Sequence, residues 1–328
     1  MNKWISILTL SFLAGVSTAS CEDELNEPES VSALFTATWG ECSSTKAGDE
    51  DKVNTLDILV FDSNGCIIAS GRNPSGGSVR LDVPKNRSTT CYALANAHGE
   101  LSGIVTENQL FEMRSFLKDN TPGSLEMIGK ITHTFNESDE VEINLERFAV
   151  KVVLEGLKLQ LSNPVWTASG IGQIKITDIF LSNVVPECHY DFSPVSGLTA
   201  WYNKMAQTPC ESDNLISKNM ELTIHNEGSD ESKHVLYAYP NPTPADREGE
   251  PWTERHTRLV VQALLGNEVC YYPITLPVLE ANHCYRIQGL TITGAGSDNP
   301  DRYGNRTPIL FTVNITPWTS DEKCIDFS

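Results

Sequence analysis

Apolar and polar residues alternate in short stretches along most of this chain, with a period of two rather than 3.6. Val31, Ala33, Phe35, Ala37 and Trp39 fall on one face of the stretch 31–39, and Ser32, Leu34, Thr36 and Thr38 on the other. That pattern predicts a half-buried strand. The stretch 54–62, NTLDILVFD, predicts a second strand closed by the turn Ser63-Asn64-Gly65. Further strands are predicted over 66–70, 78–83, 90–97 and 125–135. The stretch 141–157, VEINLERFAVKVVLEGL, reads as one long or broken strand. The second half offers 150–161, which overlaps its end, then 171–184, 219–225, 235–239, 257–265, 270–273, 285–293 and 309–318.

One helix interrupts the series. Thr106-Glu107-Asn108-Gln109 has capping-box spacing. Leu110, Met113 and Leu117, with Phe116 alongside, then share a face at helical spacing, as in a helix laid over a sheet. The segment 240–251 holds four prolines and predicts a loop. Many short strands with a single helix predict an all-β chain of two tandem sandwiches, one over 31–145 and one over 146–328.

The start of the chain follows a different rule. Asn2 and Lys3 precede an apolar run from Ile5 to Val16, then come the small residues Ser17 to Ser20, and then Cys21. The run is too short for a membrane span and has the layout of a secretory signal over 1–20. The leader resembles that of a bacterial lipoprotein precursor, although Thr18 stands where such boxes carry Leu or Val. That resemblance implies acylation of Cys21 and outer-membrane attachment through acyl chains; an ordinary signal with an incidental cysteine is the alternative. Residues 21–30, acidic and broken by Pro28, form a solvated tether that spans at most about 33 Å when extended. An acidic stretch placed there also resembles the surface-export signal of Bacteroidales lipoproteins.

Charge and cysteines narrow the partners. A net charge of −19 argues against nucleic acid as a partner. Setting Cys21 aside, eight of the nine cysteines remain, an even number that permits disulfides in an exported protein. Cys188 and Cys210 bracket one loop, and Cys270 and Cys284 lie on neighbouring predicted strands; buried free thiols are the other reading. Catalytic and cofactor signatures are missing: no GxSxG, HExxH, P-loop, GxGxxG or CxxC occurs, and the seven histidines are scattered. The expectation is therefore a chain that is not an enzyme, with no cofactor and no metal. Asp298, Asn299 and Asp301 could suit calcium, but the same residues around Pro300 make a turn, which is preferred. Trp166, Trp201 and Trp252 fall in or near predicted loops, where exposed rings would stack on sugars. Core or loop-anchoring roles are the plainer reading.

The two end strands carry the functional argument. In 309–318, Phe311, Val313 and Ile315 share one face, and Thr312, Asn314 and Thr316 the other. Strands at chain ends are the pieces most easily exchanged between molecules. Burying the five-residue face of 31–39 is worth on the order of 5–10 kcal/mol before ordering costs. Its loss would leave a groove with unpaired backbone edges.

Taken in order, NTLDILVFDSNG, CYALANAHG, INLERFAVKVVLEG, VLYAYPNPT and YRIQGLTITGAGSDNPD leading into FTVNITPW are similar to the fimbrillin superfamily of Bacteroidales, the type V pilus proteins. The resemblance covers nearly the whole mature chain. It implies transthyretin-like Greek-key sandwiches, assembly with other fimbrial subunits by strand donation, and a role in adhesion toward a host or bacterial surface ligand. In shaft subunits of that family a protease cuts after an arginine and removes the first strand. Here no arginine lies between Cys21 and Arg72, and only Lys46 and Lys52 follow the first strand as candidate processing sites. A chain that keeps its first strand and its lipid would donate its last strand and accept none, as an anchor subunit would. A processed shaft or tip subunit is the nearest alternative, and a lipid-tethered glycan-binding sandwich the next.

Overall fold

The computed structural model describes residues 29–38, 49–161, 172–198, 201–203, 213–246, 254–301 and 309–318. The leader, Cys21, Trp39, Lys46, Trp166 and Trp252 lie outside the described residues.

The first half of the chain forms β1 (Ser30–Thr38), β2 (Leu56–Phe61), β3 (Ile67–Asn73), β4 (Ser78–Pro84) and β5 (Ser88–Ala95). These are followed by β6 (Arg114–Phe116), β7 (Met127–Thr134), β8 (Asp139–Asn144) and β9 (Glu146–Arg147). One sheet has the order β4-β1-β8 and the facing sheet β3-β2-β5-β7-β9. The second half forms β10 (Val150–Leu159), β11 (Gln173–Val184), β12 (Glu187–His189), β13 (Tyr202–Asn203) and β14 (Ser217–His225). Then come β15 (Ser229–Ala238), β16 (Arg258–Leu265), β17 (Glu268–Thr275), β18 (His283–Ile292) and β19 (Ile309–Pro317). Its sheets run β15-β10-β18-β19 and β13-β11-β16-β17, with β14 also on β11.

The same wiring occurs twice. β1 is antiparallel to β4 and parallel to β8; β10 is antiparallel to β15 and parallel to β18. In the facing sheets, β2 lies between β3 and β5, as β11 lies between β14 and β16. β7 and β17 occupy matching outer places. Among the described residues β19 has no counterpart in the first sandwich.

Alternation explains the packing. Leu56, Ile58 and Val60 of β2 point into the first sandwich with Phe35, Phe135 and Ile143, while Leu59 and Phe61 point the other way. The outward pair joins Tyr92 and Leu94 in an apolar cluster that continues into the second sandwich through Phe148, Tyr190 and Tyr239. β2 is therefore buried on both faces. At this seam β6 pairs antiparallel with β12. The stretch 141–157 is broken rather than continuous: β8 serves one sheet, β9 the facing one, and β10 opens the second sandwich.

Two expectations need correction, the extent of the helix and its being single, and one alternative is decided. The helix α1 (Glu107–Glu112) has the capping box on Thr106 and Gln109, but it stops at Met113, whose backbone is extended. Phe116 pairs with Glu187 in the β6–β12 ribbon, and Leu117 starts a 3-10 turn. Ribbon pairing at the seam thus overrides the helical spacing. A second helix, the single turn α2 (Asp213–Ile216), lies in the other half. Cys270 and Cys284 are on β17 and β18, successive strands of different sheets, and no disulfide joins them; Cys66, Cys91 and Cys188 are likewise not disulfide-bonded, in line with the thiol reading.

Candidate strand-exchange site

β1 occupies the middle of its sheet. Residues Ser30 to Thr36 pair with β4, and Ala33 to Thr38 pair with β8. Ala33 and Phe35 are fully buried, and Val31 and Ala37 pack against the same core. The Phe35 ring meets Phe135 edge-on at 5.9 Å. Strand period two places these four side chains inward, as the sequence predicts. A strand with partners on both sides leaves two unpaired backbone edges if it is withdrawn.

β19 is held differently. Among the described residues it pairs with β18 alone, in a register that slips between Gln288 and Thr291, where Gly289 takes a positive φ. Ile309 and Val313 pack against the core, but Phe311 and Ile315 on the same face remain 40% and 49% exposed, and Leu310 is 68% exposed. An apolar strand so sparsely covered is an exception among the described strands.

Its one deep anchor is Trp318, just past its end and only 6% exposed. Trp318 N donates to the carbonyl of Asn282 at 2.7 Å. The Arg147 guanidinium lies 4.4 Å from the ring centroid, Lys151 Nζ lies 5.4 Å from it, and the Tyr237 ring stacks at 5.9 Å and 24°. Arg147 Nη1 also donates to the Trp318 carbonyl at 3.2 Å. Burial lowers the pKa of Arg147, and its pairing with Asp51 opposes that shift. Sequence reading singled out none of these partners. The available signal was Arg147 and Lys151 inside an otherwise apolar stretch, four residues apart.

The remaining candidates scatter. Lys52 is exposed, directly after the 3-10 turn Asp49–Asp51. Trp201 is 7% exposed and belongs to the core, so it offers no sugar platform. Asp301 accepts hydrogen bonds from Arg255, Arg258 and Asn183, while Asn299 Oδ1 accepts from Asp301 N at 2.8 Å. The 296–301 stretch is thus a turn tied down by arginines. Among the described residues no group of His, Cys, Asp or Glu is placed to hold a metal ion.

Solved structures supply the deciding comparison. A candidate cell-adhesion protein from Bacteroides eggerthii superposes with a TM-score of 0.64 at 15% identity, over 89% of this chain and 97% of its own. The fimbrilin FimA of Porphyromonas gingivalis gives 0.63 at 16% identity, over 88% and 98%. The fold is that of the fimbrillins. The tip fimbrial protein Mfa3 of Porphyromonas gingivalis, truncated at its C-terminus, matches at 0.53 and 14% identity, over 88% of this chain and all of its own. No protein-family model and no curated protein matches the chain. The expected all-β fimbrillin architecture of paired sandwiches is therefore the observed one.

Proposed function

We propose that this chain is a structural fimbrial subunit that joins other subunits by donating β19, and that it sits at the envelope end of the filament, held by lipid on Cys21. The observation that carries the reading is the contrast between the two end strands. β1 is central and buried, whereas β19 keeps Phe311 and Ile315 nearly half exposed on an edge. An exposed apolar strand supports exchange, because a groove in another subunit would bury what the home sheet does not. The fold shared with fimbrilins and cell-adhesion proteins supports the same reading. We divide the chain as 31–145 and 146–328, one sandwich each.

The anchor assignment is supported by the snug fit of β1 and by the lack of any arginine before Arg72. With its first strand kept, the subunit has no vacant groove. Exchange would involve Val31, Ala33, Phe35, Ala37 and Trp39 on the filled side, and Phe311, Val313 and Ile315 on the donated side. Deleting 309–328 should abolish incorporation into filaments while the protein still reaches the envelope; normal incorporation would sink strand donation. Mass spectrometry of the mature N-terminus should find acylated Cys21. A terminus beyond Trp39, from a cut at Lys46 or Lys52, would instead make this a processed shaft or tip subunit.

A further inference from the structure

The three side chains that clasp the Trp318 ring are each bonded to one short acidic turn. Arg147 pairs with Asp51, and its Nε reaches the carbonyl of Glu50 at 3.5 Å. Lys151 Nζ bonds Glu50 Oε2 at 2.7 Å. The Tyr237 hydroxyl donates to Glu50 Oε1. Asn282, in a left-handed backbone conformation, accepts from Arg147 N and Nη1 through its side chain at 3.3 and 3.2 Å, and from Trp318 N through its carbonyl. Lys151 and Arg147 are almost wholly buried, so these pairs are shielded from screening by salt.

Glu50 and Asp51 belong to the turn that follows β1, whereas Trp318 closes β19. The two ends of the chain therefore meet in one socket at the seam between the sandwiches. We infer that this socket is a tryptophan-binding site that latches β19 at home, and that seating of the Glu50–Asp51 turn keeps the latch closed. The inference rests on the strand-donation reading for its purpose, but the latch itself is a property of the isolated chain.

The chemistry gives the direction of coupling. Replacing the two carboxylates weakens the acidic hold on Arg147, Lys151 and Tyr237, and the two buried cations are then drawn toward water. The ring then loses its cation–π partners and the ordered Tyr237 face. With Trp318 loosened, β19 keeps only an interrupted ladder to β18 and sparse apolar cover. Chain position adds a second consequence. A cut after Lys52 would place Glu50 and Asp51 on the fragment that carries β1, so that losing the fragment would open the latch. A cut after Lys46 would leave both acids behind and the latch shut. Only a cut after Lys52 would tie loss of the first strand to release of the last.

Hydrogen exchange on the full mature chain in detergent micelles tests the coupling. In E50Q/D51N, the amides of 309–317 should exchange at least about tenfold faster than in the wild type, while those of β10 paired to β15 stay protected. W318A should give a similar acceleration. The triple variant should add little to either, because both changes act on one contact set. Wild-type exchange of 309–317 in W318A would overturn the latch. Acceleration in W318A with none in E50Q/D51N would overturn the coupling to the acidic turn. Should E50Q/D51N lose protection throughout, W318F reports instead: a smaller ring with weaker cation binding should accelerate 309–317 selectively, and unchanged exchange there would overturn the proposal. Filament incorporation is a separate readout, so failure of strand donation leaves these exchange results interpretable.

Discussion

Tyr190 of the second sandwich donates its hydroxyl proton to the carboxylate of Glu126 in the first. Ser115 donates to the other oxygen of the same carboxylate. Tyr239, fully buried, shares a hydrogen bond with Ser115 and accepts one from Asn120 Nδ2 at 2.9 Å. Asn120 Oδ1 in turn accepts the Glu126 amide at 2.7 Å. The seam thus holds a closed polar network inside an apolar surround, an arrangement that fixes the relative placement of the two sandwiches.

That network predicts a pH signature. Burial raises the Glu126 pKa above its ordinary value of 4.5, against the lowering effect of hydrogen bonds from Ser115 and Tyr190 and the charge of His98. The folded chain then holds a proton that the unfolded chain releases. This contribution is fully present below about pH 4.5 and is lost as pH rises through the folded-state value. In E126Q that pH-dependent part disappears. Urea unfolding of both proteins between pH 4.5 and 8 should show the wild type losing stability relative to E126Q as pH rises. A constant difference across the range would contradict the shift.

The two end strands predict opposite mutational outcomes. Phe35→Ala removes a fully buried ring from the centre of a sheet and should cost about 3–5 kcal/mol. Phe311→Ala with Ile315→Ala trims side chains already half in water and should cost less than about 2 kcal/mol in the isolated chain. Under the strand-donation proposal, filament incorporation should reverse the ranking for the second pair: a nearly normal unfolding midpoint, with poor assembly.

Gly129 marks a close approach between the two sheets of the first sandwich. A Cβ built there would stand 2.1 Å from the Asn144 carbonyl oxygen, at the corner where β8 gives way to β9. Backbone, unlike a side-chain tip, has little room to yield. G129A should destabilise by about 1–3 kcal/mol, measured by denaturant midpoint, whereas G103A, with open space around its Cβ, should be near neutral.

Thiol chemistry should be equally selective. Among the described residues only Cys66 is an exposed cysteine. Burial pushes the Cys91 thiol up to about 11 and raises those of Cys188 and Cys270. Because the thiolate is the reactive form, iodoacetamide at pH 8 should modify Cys66 in the native chain and reach the buried four only on unfolding. Peptide mapping after a timed reaction would show it.

Period-two alternation made the long strands legible in sequence, since each must show one face to a core and one to water. It does not specify partners. Cys270 and Cys284 sit on successive strands, yet those strands belong to different sheets. Short ribbons escaped notice for a related reason: three residues of β6 or β12 are too few to display a period, and Phe116 fitted a helical face as well as an extended one. Trp201 was placed in a loop correctly but turned inward. The inward faces of β1 and β19 followed from alternation, but how far β19 is covered did not, because exposure depends on how far the facing sheet extends. The Trp318 socket was the least visible feature, assembled from residues at 50, 51, 147, 151, 237, 282 and 318 that meet only after both sandwiches close.

The central placement of β1 has a mechanical consequence. Tension applied to the chain ahead of Ser30 runs lengthwise along this strand, while its ladder bonds to β4 lie crosswise to the pull. Both flanking ladders are then loaded in shear, so the strand yields only when many bonds fail together rather than one after another. A chain tugged ahead of Ser30 is braced like a bolt between two plates, whereas β19, gripped along one edge, can be peeled.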